Sequence, residues 1–247
     1  MDLSFSKNLI RTPDFSGVPK LEELRLSSCC RLVEIHPSIG QLSKLWYLDL
    51  RDCGSLTDLP SIGQLSELRH LDLGFCGSLT DLPSMSNGES LTFLDLSHCV
   101  KISLFPKFTG TMKSLSTLNL AWTGIKEVEP SSIERLPALV SLDLRHCSRL
   151  ECLPSNMDNL TSLETLSLSY CWKLKSLPRL PSNVKVYLPK GFSFLNWSPE
   201  GVKLSIWSQP LSQWLPFDES GSLVGFTKLF HFLRVISSLS SLSLSLE

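Results

Sequence analysis

The chain has 247 residues, 42% of them hydrophobic, with 23 Lys and Arg set against 24 Asp and Glu. That composition supplies a substantial core and excludes a chain disordered for want of apolar residues. The near balance of charge excludes capture of nucleic acid or an anionic membrane by a global field, so a partner must be recognised by a local surface.

The N-terminus, MDLSFSKNLIRTPDF, has no basic segment leading into an apolar run, which predicts an intracellular protein without a secretory signal. The first residues already carry a pattern. MDLSFSKNLIRTP from Met1 aligns with LDLRDCGSLTDLP from Leu48, with Ser6 in the place of Cys53. Nothing caps the strand it would form, and stacked repeats need polar caps, so a fragment or truncated gene is the expectation.

Seven fuller units follow in chain order: LEELRLSSCCRLVEI from Leu21, LWYLDLRDCGSLTDLP from Leu45, LRHLDLGFCGSLTDLP from Leu68 and LTFLDLSHCVKISLFP from Leu91, then LSTLNLAWTGIKEVEP from Leu115, LVSLDLRHCSRLECLP from Leu139 and LETLSLSYCWKLKSLP from Leu163. Their second leucines, Leu24, Leu48, Leu71, Leu94, Leu118, Leu142 and Leu166, recur at steps of 23 or 24 residues. That period with the frame LxxLxLxxCxxL is a leucine-rich-repeat signature.

Leu-x-Leu alternation puts the leucines on one face of a short strand and the intervening residues on the other. The return segments, such as PSIGQLSKL after His36, are too short and too rich in Pro, Gly and Ser for long helices. The predicted fold is an α/β repeat: a leucine-rich-repeat solenoid with parallel strands on the concave face and a mostly irregular or 3₁₀ convex face. At about 4.8 Å per strand, the seven strands make a stack roughly 30 Å long.

LPRLPSNVKVYLPKG, residues 177–191, reads as one shortened final turn. The predicted solenoid therefore spans 1–190, about eight units with the first incomplete, and 191–247 forms a C-terminal cap or irregular tail ending in Ser/Leu low-complexity sequence. No stretch of about 18 uncharged apolar residues occurs, so no membrane span is predicted. The sequons at Asn159 and Asn196 are expected to be chance matches.

The recurring slot holds Cys29, Cys53, Cys76, Cys99, Thr123, Cys147 and Cys171. A ladder spreads these thiols along a line, whereas zinc needs ligands converging on one point, and parallel side-chain vectors disfavour neighbour disulfides. Thr123 and Ser6 in the same slot point to a compact donor filling the turn. Cys30 and Cys152 lie outside the ladder and are the expected exposed thiols.

From SKNLIRTPDFSGVPKLEELRLSSCCRLVEIHPSIGQLSKL, Ser6 to Leu45, the chain resembles the repeat region of plant intracellular nucleotide-binding leucine-rich-repeat disease-resistance proteins. The subclass is the one with a Toll/interleukin-1-receptor-like N-terminal domain, and the resemblance covers about residues 1–190. It implies a cytoplasmic or nuclear module that recognises a pathogen effector or a guarded host protein and contacts the nucleotide-binding domain of a full-length receptor. The family's GxxxxGK[ST] phosphate loop does not occur in these residues, so only the repeat module and its recognition surface carry over. No cofactor and no metal are expected.

The surface columns point to where recognition would occur. The residues between paired leucines include Asp49, Asp72, Asp95 and Asp143; three adjacent aspartates repel one another, which would raise a carboxylate pKa or invite a basic partner, unless the column is solvated and partly neutralised by Arg51 and Arg145. One flanking column contains Tyr47, His70 and Phe93; the other contains Asp52, Phe75, His98, Trp122, His146 and Tyr170. Aromatic side chains where burial is not required mark a protein-binding concave face, unless the C-terminal segment or another domain covers them. Nothing assembles a nucleophile, base and orienting group, so no enzyme is predicted. Two rival readings remain at this point: a substrate adaptor of a ubiquitin ligase, and the ectodomain of a secreted leucine-rich-repeat receptor.

Overall fold

Each repeat contributes one three-residue strand, and the strands pair in parallel, in chain order, into a single sheet. The computed structural model describes residues 1–62, 64–85, 88–182, 184–188 and the backbone of 203–205. The strands are β1 (Glu23–Arg25), β2 (Tyr47–Asp49), β3 (His70–Asp72), β4 (Phe93–Asp95), β5 (Thr117–Asn119), β6 (Ser141–Asp143), β7 (Thr165–Ser167), β8 (Lys185–Tyr187) and β9 (Lys203–Ser205). The predicted tail of 191–247 lies outside the described residues except for β9, which adds a strand beyond the expected boundary at 190.

Register follows the leucines. Leu24, Leu48, Leu71, Leu94, Leu118, Leu142 and Leu166 face one another across the sheet and are followed by Val186 and Leu204. Each of the seven leucines is fully buried, as are Leu26, Leu50, Leu73, Leu96, Leu120, Leu144 and Leu168 two positions on. A single coil cannot cover both leucines, so burial depends on the neighbouring coil. The first segment joins the same order: Asp2 bridges Arg25 in parallel, and the Leu3 amide donates to the Arg25 carbonyl.

The outer side is built from single turns. Pro37–Gln41, Gly88–Ser90 and Met157–Asn159 are 3₁₀, while Pro130–Ile133 makes one α turn, α1. Proline opens both Pro37–Gln41 and α1, where its missing N–H costs nothing.

The cysteine slot acts as a donor. The thiols of Cys29, Cys53, Cys76, Cys99, Cys147 and Cys171 donate to the carbonyls of Leu3, Leu26, Leu50, Leu73, Leu120 and Leu144, each in the preceding repeat, at 3.0–3.2 Å. Burial pushes the Cys53, Cys76 and Cys171 thiols up, and Cys99 up to about 12, so none is a thiolate at neutral pH. Thr123 has a shorter reach, and its hydroxyl donates to Leu120 of its own repeat at 2.8 Å.

Thiol titration tests this arrangement. In the native protein an aromatic disulfide reagent is expected to modify Cys30 and Cys152, which are exposed, and to reach the six ladder thiols only on unfolding. Leu118→Ala, at the fully buried centre of β5, is expected to lower the unfolding free energy by about 2–5 kcal/mol in urea titration.

Candidate protein-interaction face

The residues expected on one concave face form two separate ladders. Tyr47, His70 and Phe93 open β2, β3 and β4, so their Cβ atoms stand in register. Their rings stack at 4.5 Å and 4.3 Å, with interplanar angles of 9° and 1°. The Arg25 guanidinium lies 4.7 Å from the Tyr47 ring centroid, closing the ladder with a cation.

The second ladder lies past the strand ends, at the rim of the sheet rather than on the strands. Phe5, Ser28, Asp52, Phe75, His98, Trp122, His146 and Tyr170 all have φ between 57° and 65°, the left-handed region that side chains other than those of Gly, Asn and Asp seldom occupy. The chain must turn out of the strand there, and each turn is held by its neighbour. Amides from Phe5 to His146 in this column donate to carbonyls of the next repeat at 2.7–2.8 Å.

Five rings of this column then stack in sequence. Phe75 and His98 lie 4.1 Å apart, His98 and Trp122 5.3 Å, Trp122 and His146 3.8 Å, and His146 and Tyr170 4.1 Å. Arg51 stands 5.1 Å from the Phe75 centroid at one end, and Trp172 meets Tyr170 edge-on at 5.6 Å at the other. Asp52 accepts from the Ser28 hydroxyl at 3.1 Å.

The aspartate column lies between the ladders, where Arg145 and Arg51 meet it as expected, and it has a further role in the turns. One Oδ1 of Asp49, Asp72, Asp95 and Asp143 accepts from the amide two residues on, at 2.7–3.0 Å, and Asn119 does the same at 3.1 Å. The carboxylates therefore cap the strand exits as Asx turns. They are not generally solvated: Asp95 is 7% exposed and also accepts from Asn119 Nδ2 at 2.8 Å. Arg145 chelates Asp143, whereas Arg51 reaches across to Asp72 at 3.9 Å. Burial raises the Asp72 carboxyl above its ordinary range, against the Gly74 amide that lowers it.

His36 makes a further cluster, with Nδ1 2.8 Å from Ser38 Oγ and 3.7 Å from Asp14. A nucleophilic triad divides serine and carboxylate between the two ring nitrogens. Here both share Nδ1, while Ser38 Oγ accepts from the Phe15 amide and the ring accepts from the Ser38 amide, so the group is an N-cap. Among the described residues no three His, Cys, Asp or Glu side chains converge as metal ligands, and no helix is long and apolar enough to cross a membrane.

Three exposed residues escaped the reading of columns: Val100, Arg149 and Trp172, which line a groove with Trp122, His146 and Tyr170. The available signal was a shortened turn. Where other repeats read Cys-x-x-Leu or Cys-x-x-Ile, this one reads Thr123-Gly124-Ile125, one residue less.

With this geometry established, similarity to known proteins can be placed. No family model matches the chain. TMV resistance protein N of Nicotiana glutinosa is 54% identical over 56 residues, 23% of this chain and 5% of that protein. Disease resistance protein RPV1 of Vitis rotundifolia is 48% identical over 44 residues, 18% of this chain and 3% of that protein. Disease resistance protein RPP5 of Arabidopsis thaliana is 43% identical over 56 residues, 23% of this chain and 4% of that protein. The matched stretches thus span a small part of each relative.

A solved leucine-rich-repeat protein of Leptospira interrogans covers 95% of this chain and 64% of its own, with 25% identity and a TM-score of 0.51. The class is a leucine-rich-repeat solenoid. Within that class, the repeats of this chain resemble those of plant disease resistance proteins.

The ladder histidines give the face a pH dependence. Burial lowers His70 against the pull of Asp49 and Asp95, and burial with Arg145 and His98 lowers His146 against Asp143. A histidine lowered in the folded state binds fewer protons there than in the unfolded chain, so its contribution to stability is complete above the unfolded value of about 6.5. That contribution is lost as pH falls from there through the lowered folded values. The urea midpoint is expected to drop between about pH 7.5 and about pH 5.5, and the drop to shrink in His70→Phe with His146→Phe. Imidazole proton shifts should show both rings titrating below about 6.5.

Proposed function

We propose that this chain is a non-enzymatic protein-recognition module of plant innate immunity, which senses a pathogen effector or a guarded host protein through its concave face and the adjoining aromatic rim. The assignment draws on the resemblance to resistance-protein repeats of the subclass with a Toll/interleukin-1-receptor-like domain. Under this reading it acts in the cytoplasm or nucleus, and the nucleotide-binding domain of a full-length receptor is its second partner.

One observation carries the choice of face. Stacking satisfies the ring faces within each ladder, yet Phe75, Trp122 and Tyr170 remain exposed along their outer edges. A partner can therefore meet a row of aromatic edges, imidazole nitrogens, an indole N–H and a phenol hydroxyl that is already rigid, with little side-chain entropy left to lose. Left-handed backbone costs about 1–3 kcal/mol per residue, and here it is maintained at every strand exit that presents such a group. Arg51 and Arg145 flank the rim and supply charge for steering and register.

The test is Phe75→Ala combined with Trp122→Ala in the immune-competent receptor context, with far-UV circular dichroism and urea midpoint as controls for folding. Loss of partner binding and of the immune response at retained fold is the expected result. A variant that is folded and keeps both would show that recognition lies elsewhere.

A further inference from the structure

The shortened turn at Thr123 changes the shape of one edge of the solenoid. In its neighbours, Cys99-Val-Lys-Ile102 and Cys147-Ser-Arg-Leu150, the closing amide donates back to the cysteine carbonyl at 3.0 Å. With one residue fewer, the Gly124 amide instead donates to the Ile102 carbonyl of the preceding repeat at 2.7 Å. The turn is held against the preceding repeat, and glycine suits the close approach: a Cβ at Gly124 would stand 3.0 Å from the Ile102 oxygen and 3.1 Å from the Val100 oxygen, tight enough that the backbone would have to give.

Thr123 and Gly124 of the shortened turn line an open notch of about 390 Å³. Val100, 58% exposed, and Trp172, 59% exposed, rise from the repeats on its two sides, and the ring edges of Trp122, His146 and Tyr170 line its back. Large exposed apolar side chains around a concavity are the features of an anchor pocket. The turn column beside the notch is cationic; Glu151, which also lies near Lys173, is paired with Lys175 at 2.6 Å. The turn position two residues past the slot holds Arg149, which lines the notch, and Lys101 and Lys173, each next in sequence to a lining residue; all three are exposed, and none forms an ion pair among the described residues. Elsewhere the same position holds Arg31, Ser55 and Ser78, so no carboxylate opposes these cations within the column.

We infer that this notch is a docking site for an acidic segment of a partner protein, which seats one aromatic side chain against Val100 and Trp172 and places its flanking carboxylates on Arg149, Lys101 and Lys173. An aromatic side chain buries enough area to anchor a segment, and the Arg149 guanidinium is suited to grip a carboxylate with two donors. A basic segment would meet the same cations and be repelled. The inference rests on the recognition reading above and deepens it at one end of the rim, since Trp122, His146 and Tyr170 line the notch; it does not depend on Tyr47, His70 or Phe93.

The probe is a displayed library of random peptides selected on the purified chain. Ser148→Trp fills the notch from its exposed floor, Arg149→Glu reverses its rim, Trp172→Ala removes a wall, and Phe93→Ala alters only the concave ladder. Enriched peptides are expected to carry one aromatic residue flanked by Asp or Glu, and to bind Ser148→Trp and Arg149→Glu at least about tenfold more weakly, a loss of about 1.4 kcal/mol. Phe93→Ala should bind them as the parent does, and unchanged urea midpoints show that the variants are folded. Trp172→Ala supplies a second, smaller-residue test if Ser148→Trp fails to fold.

Selection of neutral or basic peptides, equal binding by the filled notch, or no enrichment would overturn the inference. Peptides lost in Phe93→Ala but kept in Ser148→Trp would move the acidic ligand to the concave face, leaving the recognition reading intact and removing the notch.

Discussion

The structure depends on one constraint: the chain must leave each of the strands β1 to β7 through a residue with left-handed backbone. Two leucines are delivered to the core by three strand residues and their successor, and the path must then swing outward before the slot residue can pack. That conformation is unfavourable for phenylalanine, tryptophan and histidine, by about 1–2 kcal/mol each. It persists because the amide of the left-handed residue bonds to the next repeat and the slot thiol bonds to the previous one, so each coil is held from both sides.

Once the backbone is fixed in this way, the side chains have little choice of direction. Identical dihedral angles at identical register project every Cβ along the same line, and flat side chains at strand spacing meet face to face. Each stacked pair returns about 0.5–1.5 kcal/mol, comparable to the strain at one turn. The aromatic rim is therefore a means of stabilising the turns as well as a surface for a partner. The aspartate column belongs to the same device, since its carboxylates cap the amide immediately before the left-handed residue. These turn bonds, with Arg145 on Asp143 and Arg51 reaching Asp72, offset part of the cost of partly burying a ladder of carboxylates.

The repeat order, the strand positions and the burial of the leucines were legible because period and alternation are properties of the sequence itself. The columns were legible too, since register follows once the strands are aligned. The backbone at Phe75 or Trp122 was not, because aromatic residues carry no preference for positive φ; glycine or asparagine would have announced it. The division of the candidate residues into two columns was legible as well; that the second column lies past the strand ends, at the rim, was not, since it depends on where the three-residue strand stops between Tyr47 and Asp52. Mutual repulsion of the aspartates and their pairing with Arg51 and Arg145 were legible from the column, whereas the bond from the amide two residues on, which depends on the turn, was not. A C-terminal cap was legible, but the position of β9 was not, because Lys203–Ser205 lies outside the repeated leucine frame.

The shortened repeat shows how such a scaffold acquires a site without losing its register. Thr123-Gly124-Ile125 drops one residue from the turn, yet the step from Leu118 to Leu142 is still 24, because the return segment between Val128 and Ile133 is longer than its counterparts. The added residue is accommodated where α1 forms, the one α turn among the described residues. Strands β4, β5 and β6 consequently remain paired leucine to leucine while the turn between them shortens. In a quasi-one-dimensional stack a change of this kind is felt by adjacent coils alone. The core then constrains only the period of each coil, and the distribution of residues between its turn and its return is free to shape the surface.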